Sequence, residues 1–255
     1  MNRRKFVVTS MAAGSLPFMW SATVPQKGPQ TAKEIFEIRT YDIKFRANRQ
    51  LLQDYLKNVL GPSLLEQGAN HFMVLEEIGL TDPPQWWVVI GYPSGEAYFR
   101  AQNTYSAPAY LKAAEAYDAL GPEAALFTRY ASSLLLAFDG MPGLKKPEEG
   151  ASLFELRTYE GYSEDAVRRK IKMFNQGEID IFLQTGLYPV FFGEMIAGPH
   201  RPCLTYMLGF KDMAQRDAHW KAFIDHPAWK KLSAMEAYAD TVSNIRRVFL
   251  KPLGT

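Results

Sequence analysis

Two matched sets of residues carry the chemistry that this 255-residue chain displays most plainly: Arg39 and Tyr41 with Glu76, and Arg157 and Tyr159 with Glu194. Each residue of the second set lies 118 positions after its counterpart. Each set joins a permanent cation with planar donors, a phenol that both donates and accepts, and a carboxylate. Alternation along residues 35–43 and 153–159 places Phe36, Ile38 and Thr40 on one strand face and Glu37, Arg39 and Tyr41 on the other, which is expected to look into the interior. Glu76 and Glu194, on a following strand, are the expected partners of the two arginines, because a buried guanidinium needs a carboxylate. Two readings stand side by side. The pairs hold strand register, or a ring of Arg, Tyr and Glu lines a pocket for an anionic or phenolic small molecule. Weaker candidates are His219, His226 and Tyr206. The two histidines are seven apart, but Pro227 interrupts the helix that would align them, and His226 or Asp225 reads as its cap.

Other chemistries are excluded by what is missing from the sequence. It contains no Gly-rich phosphate loop, G-x-S-x-G elbow or H-E-x-x-H run. The single cysteine, Cys203, allows no internal disulfide and belongs to no Cys/His cluster of zinc-site spacing, so no metal site is expected. A net charge of +2, from 29 basic and 27 acidic residues, is too balanced for a partner of nucleic acid.

The charge is also unevenly placed. Arg3-Arg4-Lys5 precedes a stretch from Phe6 to Gln26 that has no charge and only mild hydropathy. Residues 1–26 therefore look like a twin-arginine export signal, placing the mature protein in the periplasm or another extracytoplasmic space without a lasting membrane span. The alternative is an N-terminal membrane anchor, since the charge-free stretch is just long enough to span. Without Arg3, Arg4 and Lys5 the remaining chain has 26 basic residues against 27 acidic ones.

The elements that must position these residues are written twice. FEIRTY at Phe36–Tyr41 returns as FELRTY at Phe154–Tyr159, and the same offset matches Leu65 to Leu183, Gly68 to Gly186, Glu76 to Glu194 and Pro84 to Pro202. Each copy reads as strand, helix ending at a glycine, hairpin of two strands, helical region, strand. That order defines an α+β fold of two tandem ferredoxin-like βαββαβ units, over residues 32–138 and 151–255, with 139–150 as linker. A single four-stranded sheet would leave one face bare, with Trp87 and Tyr41 expected on it. The two sheets are therefore expected to cover each other as an intramolecular dimeric α+β barrel.

The doubled F-E-(I/L)-R-T-Y motif, followed by a helix, a glycine and a strand bearing glutamate, resembles the NIPSNAP family, over nearly all of the chain after residue 30. The resemblance implies a barrel of the superfamily that also holds cofactor-free monooxygenases and haem proteins related to chlorite dismutase. It transfers no catalytic residue. Three functions remain open: an exported barrel binding a small hydrophobic or anionic ligand in the cavity between the sheets, with no assigned reaction; an oxygenase-like enzyme, cofactor-free or haem-dependent, hence a monooxygenase-like oxidoreductase; or a scaffold binding partners through its helices. No cofactor is expected from the motifs themselves; haem enters only through the resemblance. Assembly of these pseudo-dimers into a homo-oligomer is left open.

Overall fold

The computed structural model describes residues 32–79 and 81–254, and the segment read as an export signal, 1–26, lies outside them. The first half runs β1 (Ile35–Ile43), α1 (Arg49–Asp54), α2 (Gly61–Glu66), β2 (His71–Glu77), β3 (Gln85–Tyr92), α3 (Gly95–Ala101), α4 (Pro108–Asp118) and β4 (Phe127–Ala137). The second repeats it: β5 (Leu153–Glu160), α5 (Glu164–Met173), α6 (Ile179–Gln184), β6 (Tyr188–Ala197), β7 (Cys203–Phe210), α7 (Met213–Asp225), α8 (Pro227–Ser233) and β8 (Asn244–Pro252). Gly68 and Gly186, with φ of 113° and 78°, supply the left-handed turn that lets the chain leave α2 and α6 for the next strand. His226 does cap α8, its ring accepting from the Ala228 amide, and Pro227 takes the first helical position.

All eight strands join in one closed barrel, in the order β1-β3-β2-β8-β5-β7-β6-β4. The halves meet at two antiparallel seams, β2 with β8 and β4 with β6. Closure leaves neither half with an unpaired edge strand. Glu76 and Glu194 sit at these seams rather than beside the arginines. Glu76 lies opposite Lys251 and bonds to it at 2.8 Å, while Glu194 lies opposite Leu136 and is exposed.

The two faces of the opening strands are the reverse of the expectation. Phe36, Ile38, Phe154 and Leu156 point into the barrel, where they pack with Leu75, Val89, Leu135, Phe191, Met207 and Leu250. Glu37, Arg39 and Tyr41, like Glu155, Arg157 and Tyr159, point outward beneath the helices. Trp87 stands opposite Thr40 and faces the interior, so it does not share a face with Tyr41, whose neighbour is Trp86. The physical reason is width. An eight-stranded barrel has an interior that side chains just fill, and interdigitated apolar groups fill it without the desolvation cost of an ion pair.

Candidate functional site

In the first half the motif supplies its own ion pair. Arg39 donates from Nε and Nη2 to the two carboxylate oxygens of Glu37, at 2.7 and 2.9 Å, and both residues are buried. Two residues apart on a strand means the same face, so E-x-R is self-pairing. Ser132 and Tyr92 also donate to Glu37, at 2.6 and 2.9 Å. Burial alone would raise this carboxyl, but Arg39, Ser132 and Tyr92 together hold it below the ordinary carboxylate range. The remaining guanidinium nitrogen, Nη1, donates to Tyr105 at 2.6 Å. Tyr105 comes from the short 3-10 turn Gln102–Ser106 and closes the space between sheet and helices.

The second half keeps the motif and opens that space. Glu155, fully buried, accepts from Arg157 Nε at 2.7 Å, from Arg216 at 2.9 and 3.0 Å, and from the Trp220 indole at 2.8 Å. Burial raises the Glu155 carboxyl, but Arg216, Arg157 and Trp220 outweigh it and keep it low. With one carboxylate shared between two arginines, Arg157 lines a cleft of about 520 Å³ between sheet and helices. The Trp220 ring lies 3.8 Å from the guanidinium carbon, and Arg157 Nη1 reaches the Tyr159 hydroxyl at 3.3 Å. The cleft is lined by Arg157, Tyr159, Lys170, Arg216, Trp220, Phe223, Trp229 and Arg247, with Glu178, Ile224, Val242 and Ile245 completing the wall. Four cations therefore meet three carboxylates, Glu178 in the wall, Glu155 behind it and Asp217, which accepts from Arg216 Nη1 at 2.6 Å, among aromatic rings.

A second ion pair lies in the same wall. Lys170 donates to Glu178 at 2.7 Å, and both are buried. The ammonium also lies 4.7 Å from the centre of the Phe174 ring and 5.5 Å from that of Trp229, within cation–π range of both. Residues eight apart on a regular α-helix are about 12 Å apart along its axis. They meet because the π-helical segment Phe174–Glu178, with Gly177 outside helical geometry, breaks the run between α5 and α6. Burial pushes the Glu178 carboxyl up, against the opposing pull of Lys170. At the offset of 118, Lys170 and Glu178 fall on Leu52 and Leu60, both buried in the apolar core of the first half. Arg216 falls on Tyr98. The same scaffold thus carries leucines in one copy and a buried ion pair in the other.

Of the residues singled out in the sequence, the structure brings Arg157 and Tyr159 into the cleft, with Glu155 rather than Glu194 as the carboxylate. Arg39 and Tyr41 belong to the closed twin, where Arg39 pairs with Glu37 rather than Glu76. Tyr206 is buried behind the cleft and donates to Tyr159 at 2.8 Å. His226 is a cap, and His219 packs beside Gly186 and Phe210; neither lines the cleft. Lys170, Glu178, Arg216, Trp220 and Arg247 were not anticipated from the sequence; an ungapped comparison of the halves marks the first three as polar substitutions at twin positions. Inside the barrel, a smaller cavity of about 300 Å³ opens at one end beside Thr40, Trp87, Thr158, Thr205 and His200. Its arginine, Arg246, is already paired with Glu160. The Cys203 thiol, near this end, is pushed up by burial to about 11, which keeps it a protonated core group. Haem in the cleft would find no histidine in the wall, and the Tyr159 hydroxyl is already engaged by Tyr206 and Arg157. The cleft residues do not fit that group. Among the described residues no three His, Cys, Asp or Glu side chains gather as a metal site.

Comparison with known proteins places the fold. The sequence model of the NIPSNAP family matches residues 154–255, from the second FELRTY motif onward. No curated protein matches the chain in sequence. Among solved structures, a candidate monooxygenase from Fusobacterium nucleatum superposes with a TM-score of 0.59 at 16% identity, covering 87% of this chain and 93% of that one. A candidate monooxygenase from Lactobacillus acidophilus gives 0.53 at 12% identity, over 86% and 93%. A candidate chlorite dismutase gives 0.50 at 8%, over 87% and 95%. At these identities the likeness is one of fold, the dimeric α+β barrel, here closed within a single chain.

Proposed function

We propose that both halves are NIPSNAP-type units and that the second is the working one, binding a small organic anion with an aromatic or apolar body in the cleft over β5. The observation that carries this is the buried Lys170–Glu178 pair, beside Arg157 and Arg216, where the first half has leucines and a tyrosine. Buried ion pairs are weak sources of stability and are often replaceable by well-packed apolar residues. The first half carries buried leucines at both positions on the same scaffold, so the charges in the second point to a ligand. The cationic surplus supports an anion, and Trp220, Phe223 and Trp229 offer faces for its ring. The anticipated ligand is kept, but its site moves from the barrel interior to the helix-covered face.

Calorimetric titration with benzoate tests this reading. One site per chain is expected, with affinity weakened several-fold in Arg247→Met, an exposed position that should not disturb folding. Absence of binding, or indifference to that variant, would contradict it. A second reading, catalysis on the bound anion, is favoured by Glu178, a carboxyl in the cleft wall that burial raises and that accepts from Lys170 at 2.7 Å.

Export is part of the proposal and is supported by Arg3-Arg4-Lys5 and the charge-free residues 6–26. Cell fractionation is expected to find a shortened chain outside the cytoplasm, and Arg3→Lys with Arg4→Lys to retain it. Recovery of the full-length chain in the cytoplasmic fraction would count against export.

A further inference from the structure

We propose that the ligand of the second-half cleft carries a phenolic hydroxyl, held by Arg157 as Arg39 holds the Tyr105 hydroxyl in the first half. The inference rests on the anion-binding reading above and specifies the ligand's other end. In the first half Arg39 spends Nε and Nη2 on Glu37 and its last nitrogen, Nη1, on the phenol oxygen of Tyr105 at 2.6 Å. That ring packs edge-on against Tyr110, with centroids 5.5 Å apart, in the space where the second half has its cleft. The protein's own chain thus inserts a phenol between the motif arginine and the helix layer.

The second half keeps the receiving group and lacks a counterpart of Tyr105; the phenol nearest Arg157 Nη1 is the motif's own Tyr159, at 3.3 Å. Aligning the capping residues Ser94 and Asp212 places Tyr105 on Phe223; aligning Pro108 and Pro227, which begin α4 and α8, places it on Ile224. Both residues line the cleft and neither has a polar side-chain atom. Arg157 has meanwhile lost half of its carboxylate, because Arg216 and the Trp220 indole share Glu155. Where Arg39 has two close bonds to its carboxylate and one to a phenol, Arg157 has one to its carboxylate and a longer one to Tyr159. Its guanidinium reaches the cleft with donor capacity left over, flanked by Trp220, Phe223 and Trp229. A planar ring bearing a hydroxyl fits that deficit, and Arg247, which has no carboxylate partner among the described residues, remains for a carboxylate on the same molecule.

The test is a matched pair of titrations, 4-hydroxybenzoate against benzoate, on the full chain. A hydrogen bond from a charged donor should make the hydroxy compound about 10-fold tighter or more. That advantage should vanish in Arg157→Met. It should also vanish in Ile224→Tyr or Phe223→Tyr, which graft the first half's plug into the second and need no buried charge removed. Equal affinity of the two compounds for the wild-type chain would overturn the phenol inference and leave the anion site standing. Failure of both to bind would overturn the anion site, and this inference with it. A hydroxyl advantage that survives Arg157→Met and both tyrosine grafts would place the phenol elsewhere and defeat the assignment to Arg157.

Discussion

The same two letters, glutamate and arginine two apart on a strand, do different things in the two copies because their surroundings differ. In the first half Arg39 and Glu37 satisfy one another, and Arg39→Met would leave a buried carboxylate with only Ser132 and Tyr92. A loss of about 3–5 kcal/mol is expected in urea unfolding. In the second half Glu155 keeps Arg216 and Trp220, so Arg157→Met should cost less, about 1–2 kcal/mol. Equal losses would contradict this division of roles. The pH dependence follows with its sign. Glu37 and Glu155 have folded-state pKa values below their unfolded ones. Their contribution is present above the unfolded carboxylate pKa, about 4.3, and is lost as pH falls through the folded values. Stability should fall steeply below about pH 4, and less steeply in Glu37→Gln. The motif's alternation revealed two faces but not their destinations. Both are buried, one by the opposite sheet and one by helices, so alternation of polarity cannot say which looks inward.

At the scale of elements, the strand order, the glycine stops and the His226–Pro227 helix start were legible because each rests on local backbone chemistry. The cleft was not, because its walls come from β5, α5, α7, α8 and β8, brought together only by the fold. Lys170, lying between Val167 and Ile171, reads in isolation as a solvent-facing residue of an amphipathic helix. Its burial depends on the π-helical break that returns Glu178 to it. Restoring the twin's residues tests whether this pair serves stability or ligand. Lys170→Leu with Glu178→Leu should unfold at the same urea concentration as wild type or higher, by up to about 4 kcal/mol, while Lys170→Leu alone destabilises. Benzoate affinity should drop in the double variant. A double variant that is both less stable and undiminished in binding would make the pair structural.

The whole molecule is one βαββαβ unit used twice and closed on itself, one copy filled by tyrosines and leucines and the other left open. The seams carry the prediction at this scale. Residues 32–138 and 151–255 made separately would each expose two edge strands and the apolar face of Phe36 or Phe154. Size-exclusion chromatography should find neither half monomeric alone, and a mixture should yield a one-to-one complex the size of the single chain. A stable monomeric half would contradict closure as the reason for duplication. Fold and duplication could be read from the sequence, whereas the asymmetry between copies, which carries the functional reading, emerges only when each residue is placed against its twin. The central claim is that the ligand lies under the helices of the second half and not in the barrel. Diffraction from crystals soaked in 4-iodobenzoate tests it most directly. The account predicts one strong anomalous iodine peak between Trp220 and Trp229, and a peak in the barrel mouth beside Trp87 and His200, with none in the cleft, would contradict it.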